Sequence, residues 1–226
     1  MYAFVYAAAF VLALWAPFVY AHVRAYGEHL EPAAVATHAA LCLFNAINVM
    51  ICLWENALYL HQGAIKAEYA KLKRRHGKAL PPDGGLFRHV ALRDAFTLRF
   101  WATAIWSTYS LLDPSYSDCT SYGFWIDTGN GVSMPIPTLL LSVGMTWDVV
   151  PPRVLGAIAL VANWQMLYGT VLYFSSYVHN RRYVGCSTFS VTVVVIANGI
   201  WIAFPALAMR VGWSLVESGT VNIVRA

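Results

Sequence analysis

The chain has 226 residues, of which 59% are hydrophobic and 12% are charged, and its mean hydropathy is +0.54. Charged residues make up roughly a quarter of an ordinary soluble domain, so this composition excludes the soluble classes and predicts a membrane protein. The formal net charge is +4. With so much apolar sequence, nucleic acid is not the expected partner of the basic residues.

Apolar runs long enough to cross a bilayer as a helix, which takes about 20 residues, occur five times. They are 1–22, 33–60, 122–147, 153–178 and 187–211. The first run has no basic start and further spans follow it, so we interpret it as a retained helix rather than a signal peptide. A sixth run, 96–112, is about the minimum length and fits a short span, a re-entrant segment or an interfacial helix. We expect an all-α, polytopic membrane helix bundle of five or six transmembrane helices.

Basic residues concentrate between the second span and the sixth run. No repeat or second domain is visible, so we expect one membrane domain over 1–226 with a basic loop at 62–99. The positive-inside rule predicts that this loop is cytoplasmic, with the carboxyl terminus lumenal for five spans and cytoplasmic for six. The stretch AEYAKLKRRHGK within it is typical of an interfacial helix that touches anionic headgroups.

The four cysteines show no paired spacing of the kind that marks a metal site or a disulfide framework. No phosphate-binding loop, nucleophile–base pair or metal cluster stands out either. We expect no cofactor and no metal.

Glu55 lies inside the apolar stretch MICLWENALY. One interpretation is that it lies near enough to the interface to be hydrated. The other is functional, because an acid inside a span costs roughly 2.5 to 3.5 kcal/mol to insert and usually faces a cavity or a partner. Burial would favour its protonated form, which could then act as an acid.

Asp127 lies in YGFWIDTGNGVSMPIP, where glycines and prolines loosen the helix, and Asn130 follows it one turn later on the same face. Asp127 is therefore either an ordinary capping residue at a helix start or part of a cavity-lining break. We favour the break.

Aromatic and amide side chains complete the predicted pocket. Asn198 and Trp201 share a stripe of the last span with Pro205, and a Trp at mid-span offers a ring face to a cation. Tyr168 and Tyr173 are either packing residues or pocket residues. Two acids, an amide and several aromatics in an apolar bundle predict proton addition to a carbon–carbon double bond followed by proton loss, with water excluded.

The segment WSTYSLLDPSY, with Trp106, Tyr109, Asp113, Ser115 and Tyr116, resembles the signature of the emopamil-binding protein family, whose shared domain is called EXPERA. Later segments strengthen the likeness: YGTVLYF and ANGIWIAFPA are similar to two further motifs of that family. The resemblance covers about 42–217 and departs from the signature at Pro114, at Thr170 and in an unusually long basic loop.

That resemblance implies a five-span bundle of the endoplasmic reticulum membrane, with a sterol-sized cavity and Δ8 to Δ7 sterol isomerase activity. By the same likeness, Glu55 is an acid/base residue, Asp127 and Asn198 position or stabilise charge, and Trp201 faces the cation. Substrate contacts are then expected from Trp54, Tyr109, Tyr116, Asn130, Tyr168 and Tyr173. The partners implied are a sterol or other hydrophobic lipid and the membrane, and a homodimer is compatible with them.

One departure bears on the chemistry. The family's isomerases carry a His one turn before the catalytic Glu, and this chain has Ile51 there. The alternatives are therefore a non-catalytic sterol or lipid binding or trafficking protein of the same family, which Ile51 favours, and a membrane terpene cyclase, which the Trp54–Glu55 pair resembles.

Overall fold

The computed structural model describes residues 1–27 and 31–225, and every regular element in that part of the chain is a helix. The expected all-helical class is confirmed. The α-helices are α1 (Ala3–Tyr26), α2 (Pro32–Leu60), α3 (Gln62–His76), α4 (Leu92–Ala95), α5 (Leu98–Trp101), α6 (Ser107–Tyr109), α7 (Ser115–Asp118), α8 (Tyr122–Ser133), α9 (Pro135–Thr146), α10 (Pro152–His179), α11 (Thr188–Ser218) and α12 (Asn222–Arg225). A 3₁₀ turn at Gly85–Phe87 and a π-helical turn at Ala102–Trp106 complete them.

Within the described ranges, α1, α2, α10 and α11 are the four helices that are long and apolar enough to cross a membrane. They agree with four of the predicted spans to within a few residues, except that α11 continues to Ser218. Pro17 in α1 and Pro205 in α11 lie inside their helices, where neighbouring helices can satisfy the freed backbone groups in a membrane.

The run 122–147, expected as one span, is divided at Met134 into α8 and α9. Pro135 takes the first position of α9, where its missing N–H is not needed. Each half has 12 residues, which is about 18 Å of helix and too short to cross a hydrocarbon core of about 30 Å alone.

The predicted sixth run, 96–112, is helical over 98–109, about 18 Å of helix, which is too short to cross a hydrocarbon core of about 30 Å alone. It consists of α5, the π-helical turn and α6, followed by a turn. The basic stretch beside it does form a helix, α3, whose last turn carries Lys73, Arg74 and Arg75. A sixth membrane-crossing helix at 96–112 is therefore wrong.

The described residues group into two compact units, which we call the loop unit and the seam unit. The loop unit comprises Met1–Ala8, Ile51–Val132 and Gly169–Gly199, and the seam unit comprises Ala9–Met50, Ser133–Tyr168 and Ile200–Ala226.

The seam unit is named for a row of hydrogen bonds between α2 and α9. Thr138, Ser142 and Thr146 recur every fourth residue, so they lie on one face of α9, and each meets a polar side chain of α2. The bonds are Asn48 Nδ2 to Thr138 Oγ1 (2.9 Å), Asn45 Nδ2 to Ser142 Oγ (3.0 Å) and His38 Nε2 to Thr146 Oγ1 (3.0 Å). Because buried polar groups are costly when unpaired, this row sets the register of the two helices.

Close packing of α10 on α11 in the seam unit depends on glycine. A Cβ at Gly212 would lie 2.8 Å from Ala159 Cβ and 3.0 Å from the carbonyl oxygen of Gly156. On the same helix, a Cβ at Gly199 would meet nothing within 4 Å.

We expect Gly212→Ala to destabilise the protein by about 1–3 kcal/mol, because the added methyl overpacks a helix contact whose backbone cannot yield. The matched control, Gly199→Ala, should be neutral or stabilising, since alanine is the better helix former. Thermal unfolding of both variants in the same nanodiscs measures the difference. Equal midpoints for the two variants would contradict it.

Candidate functional site

The loop unit contains eight of the ten predicted site residues. They are Trp54, Glu55, Tyr109, Tyr116, Asp127, Asn130, Tyr173 and Asn198. Four separate stretches of the chain, on α2, the 99–118 segment, α8 and α10–α11, bring them into one unit.

Glu55 lies on α2 with 5% of its surface exposed, so hydration at the interface does not describe it. Its Oε2 atom is buried and has no hydrogen-bond partner among the described residues. The thiol of Cys52, one turn earlier on the same helix, lies beside the carboxyl group. One carboxyl oxygen is thus left as an unused polar atom in an apolar surrounding, an arrangement that needs an explanation because such atoms are costly.

α8 lies directly against α2 beside Glu55. A Cβ at Gly131 would be 2.8 Å from Glu55 Cβ and 3.1 Å from the backbone nitrogen of Asn56, so only glycine fits at this contact. Asn56 Nδ2 donates to the carbonyl oxygen of Gly131 at 2.7 Å, and Cys52 Sγ donates to that of Asn130 at 3.7 Å. The two helices are therefore joined through the backbone of the YGFWIDTGNG segment.

Asp127 lies one turn before Gly131 in the second turn of α8, so it is not a helix-capping residue. Its carboxyl group is close enough to that of Glu55 for their charges to interact, and it accepts a hydrogen bond from the hydroxyl of Tyr116. Two neighbouring carboxylates out of water repel, so one proton shared between them is favoured.

Aromatic side chains of the loop unit contact one another and Asn198. The hydroxyls of Tyr109 and Tyr173 are 3.1 Å apart, and Asn198 Nδ2 donates to Tyr109 at 2.8 Å. The ring of Tyr116 stacks on Trp106 at 5.0 Å and meets Tyr109 edge-on at 5.2 Å. These contacts fix the rings, and none of them uses the side-chain carbonyl oxygen of Asn198.

Burial raises the pKa of Tyr116 well above its usual range, and the nearby charge of Asp127 raises it further. Because the neutral phenol is the stable form, Tyr116 remains a hydrogen-bond donor at neutral and moderately basic pH.

Three contributors to this arrangement are not among the predicted site residues. Asp113 is 3% exposed, accepts a hydrogen bond from the backbone nitrogen of Ser115 at 3.0 Å, and pairs with Arg182 Nε at 3.7 Å. Trp106 is the third, at the end of the π-helical turn. The Asp-Pro-Ser order indicates the turn at Asp113, but no local signal indicates Arg182, which lies between α10 and α11.

Trp54 contacts two other tryptophan residues. Its ring stacks on Trp101 at 5.2 Å, and its backbone oxygen accepts a hydrogen bond from Trp106 Nε1. A π-helical turn is uncommon and often marks a functional site. Here the turn positions Trp106 for its stack with Tyr116. The end of α5 positions Trp101 for its stack with Trp54.

The two remaining predicted residues belong to the seam unit. Tyr168 is 50% exposed and stacks on Trp164 at 5.8 Å on α10, and its role as a substrate contact stays a prediction. Trp201 donates from Nε1 to Asn48 Oδ1 at 3.0 Å and meets Phe44 edge-on at 5.9 Å. Its indole N–H is thus engaged in a hydrogen bond to α2.

Among the described residues, no group of three or more His, Cys, Asp or Glu side chains could hold a metal ion. No protein-family model, curated protein or solved structure matches this chain.

We expect Arg182→Gln to destabilise the protein by about 1–3 kcal/mol, because it leaves the buried Asp113 carboxylate without its cation. The neighbouring exposed residue provides the control, Arg181→Gln, which should change little. The free energy of unfolding in nanodiscs measures both.

A double variant separates the ion pair from a general effect of the substitution. Adding Asp113→Asn to Arg182→Gln should recover part of the loss, since the isolated charge is removed. Purely additive losses would show that Arg182 stabilises the protein through another contact.

Proposed function

We propose that this chain is a membrane-embedded isomerase that moves a sterol double bond from Δ8 to Δ7 by protonation and deprotonation. The observation that carries the proposal is the buried Glu55 carboxyl group, with one oxygen unpartnered and a second carboxyl group, Asp127, interacting with it. An acid and a base in a water-poor site are what proton transfer to and from carbon requires.

The reaction balances without a cofactor. The acid, assigned to Glu55, gives a proton to one alkene carbon, which forms a new C–H bond and leaves a cation on the other alkene carbon. The base, assigned to Asp127, removes a proton from the adjacent carbon, and the electron pair of that C–H bond becomes the new double bond. Proton exchange between the two carboxyl groups then restores the starting state.

The cation formed between these steps needs stabilisation that does not react with it. The rings of Trp106 and Tyr116 supply electron-rich faces in the loop unit. The carbonyl oxygen of Asn198 can face the same charge, because Asn198 uses its Nδ2 atom to hold Tyr109. We assign Trp201 the further role of facing the cation on the basis of the family resemblance alone.

In this proposal, Asp127 takes the proton-transfer role that the family's His would have at the position of Ile51. Ile51, four residues before Glu55, is apolar and cannot exchange a proton, so this proposal takes the second proton-transfer group from another helix. The interaction of Asp127 with Glu55 and its hydrogen bond from Tyr116 support that role. Ile51 remains the observation that favours the second candidate, a sterol or lipid binding protein without turnover.

The proposal includes a location and a topology. In this proposal the fifth crossing is the run 122–147, broken at Met134. Non-helical backbone at membrane depth is tolerated where it lines a cavity or is buried in protein. The membrane would be that of the endoplasmic reticulum, where the family resemblance places a sterol substrate.

Expression in yeast that lacks its sterol isomerase tests the activity. We expect Δ7 sterols to reappear with the unaltered chain. With Glu55→Gln, the rate of Δ7 sterol formation should fall by about 10²–10⁴-fold, the range that general acid–base groups contribute. Sterol profiling by mass spectrometry is the measurement. Glu68→Gln, at a glutamate on α3 that pairs with Lys71 and Arg88, is the control and should retain activity.

The same membranes distinguish the two candidates. Saturable sterol binding with no Δ7 product from the unaltered, well-expressed chain would overturn the isomerase and support the binding protein. Full activity of Glu55→Gln would show that another group protonates the substrate.

A further inference from the structure

Residues 85–99, GLFRHVALRDAFTLR, interleave large apolar and basic side chains. In the structure this segment, which we call the arm, contains the 3₁₀ turn, α4 and the start of α5. Val90 and Ala95 of the arm are buried, but three of its large apolar side chains are exposed: Phe87 at 61%, Leu92 at 62% and Phe96 at 83%. Such a row of exposed side chains is costly in water and marks a contact surface.

The arm is bonded to the first residues of α1. Val90 N donates to the carbonyl oxygen of Met1 at 2.9 Å, and Ala3 N donates to that of Arg88 at 2.9 Å. The ring of Phe87 packs against Phe4 at 6.2 Å, within the first turn of α1. These contacts hold the arm at the level where α1 begins.

The start of α1 indicates the position of the bilayer surface, because α1 is long and apolar enough to cross a membrane. A crossing helix begins where the bilayer surface lies. Phe4 itself is exposed on α1, so its side chain faces lipid near that surface. Phe87, in contact with it, shares the same surroundings.

The charges of the arm fit the same surface. Arg93 and Arg99 are exposed, and the salt bridge of Arg93 is made only with its neighbour Asp94 at 3.4 Å. Arg88 pairs with Glu68 of α3 at 3.7 Å, which ties the arm to the basic helix. Residues 62–99 together hold nine Lys and Arg against three Asp and Glu, a balance that attracts anionic headgroups.

We propose that the arm is a membrane-interface anchor, in which Phe87, Leu92 and Phe96 enter the headgroup region and Arg93 and Arg99 contact anionic lipid phosphates. Aromatic and aliphatic side chains beside arginine are the composition of segments that lie in this plane. The occupant of the exposed surface is thus the bilayer that α1 crosses. This inference does not depend on the proposed isomerase activity.

The anchor has a consequence for the loop unit. The chain continues without a break from the arm through α5 and the π-helical turn to Trp106 and Tyr109. Trp101, two residues after Arg99, stacks on Trp54 beside Glu55. Fixing the arm in the interface therefore also fixes where the aromatic residues of the site begin.

Spin labelling of the full-length chain in bilayers tests the anchor. Cys119→Ser and Cys186→Ser remove the two less buried thiols, and Phe96→Cys then carries the label. Asp83→Cys, at an exposed residue before the arm, is the control. We expect the label at 96 to lie about 5–10 Å inside the headgroup boundary by oxygen and nickel-chelate accessibility, and the label at 83 to remain in water.

Lipid composition tests the charge contribution. In bilayers that contain phosphatidylserine, Arg93→Ser and Arg99→Ser should each lower the ratio of inserted to released arm roughly fivefold, and the loss should vanish in phosphatidylcholine alone. A label at 96 as open to the nickel chelate as that at 83 would overturn the anchor. So would dipolar broadening between labels, which would mean that a second copy of the chain covers the surface. An insertion depth independent of phosphatidylserine would overturn the role of the two arginines.

Discussion

The contact of α8 with α2 at Gly131 is the constraint on which the site depends. A side chain at that position would overlap the Glu55 Cβ and the backbone of Asn56, so the helices approach closely only because the residue is glycine. Asn56 then bonds to the Gly131 carbonyl group. Asp127, one turn away, is brought into electrostatic contact with Glu55 as a result. Without that approach, the chain would contain two isolated acids in apolar helices.

The polar side chains of the described structure share a second constraint, which is the cost of leaving them unpaired away from water. In the seam unit, the amides of Asn45 and Asn48 meet hydroxyls of α9. In the loop unit, Asp113 is neutralised by Arg182 and capped by a backbone N–H. The unpartnered oxygen of Glu55 departs from this pattern, as do Ser115 Oγ, Asn163 Oδ1 and the Tyr177 hydroxyl, and among these four groups only that of Glu55 is a carboxyl group. Departures of this kind concentrate at functional sites. The unpartnered carboxyl oxygen is the reason that we assign the chemistry to Glu55 and not to Asp113.

The fold was predictable to the extent that length and apolarity decide it. α1, α2, α10 and α11 follow the hydropathy of their sequences because a bilayer-length apolar run has few alternatives to a helix. The run 122–147 was less predictable: proline and glycine indicated a weak helix, but the position of the break depends on the packing of both halves. The run 96–112 was also less predictable, because most of its apolar residues pack inside the loop unit and its helix is too short to be a span. Hydropathy reports that a residue is removed from water and does not say what replaces the water.

For the site, the sequence by itself determined the costly residues: Glu55, Asp127 and Asn198 are recognisable because acids and amides are rare in apolar helices. No such criterion applies to Tyr168, since an aromatic residue suits a lipid-facing surface as well as a pocket. Tertiary structure alone decided that Glu55 and Asp127 interact and that Tyr116 donates to Asp127. It also decided that Arg182 pairs with Asp113. The physical reason is that helix periodicity orders residues along one element, whereas proximity between elements is set by close contacts such as the one at Gly131, which no local pattern encodes.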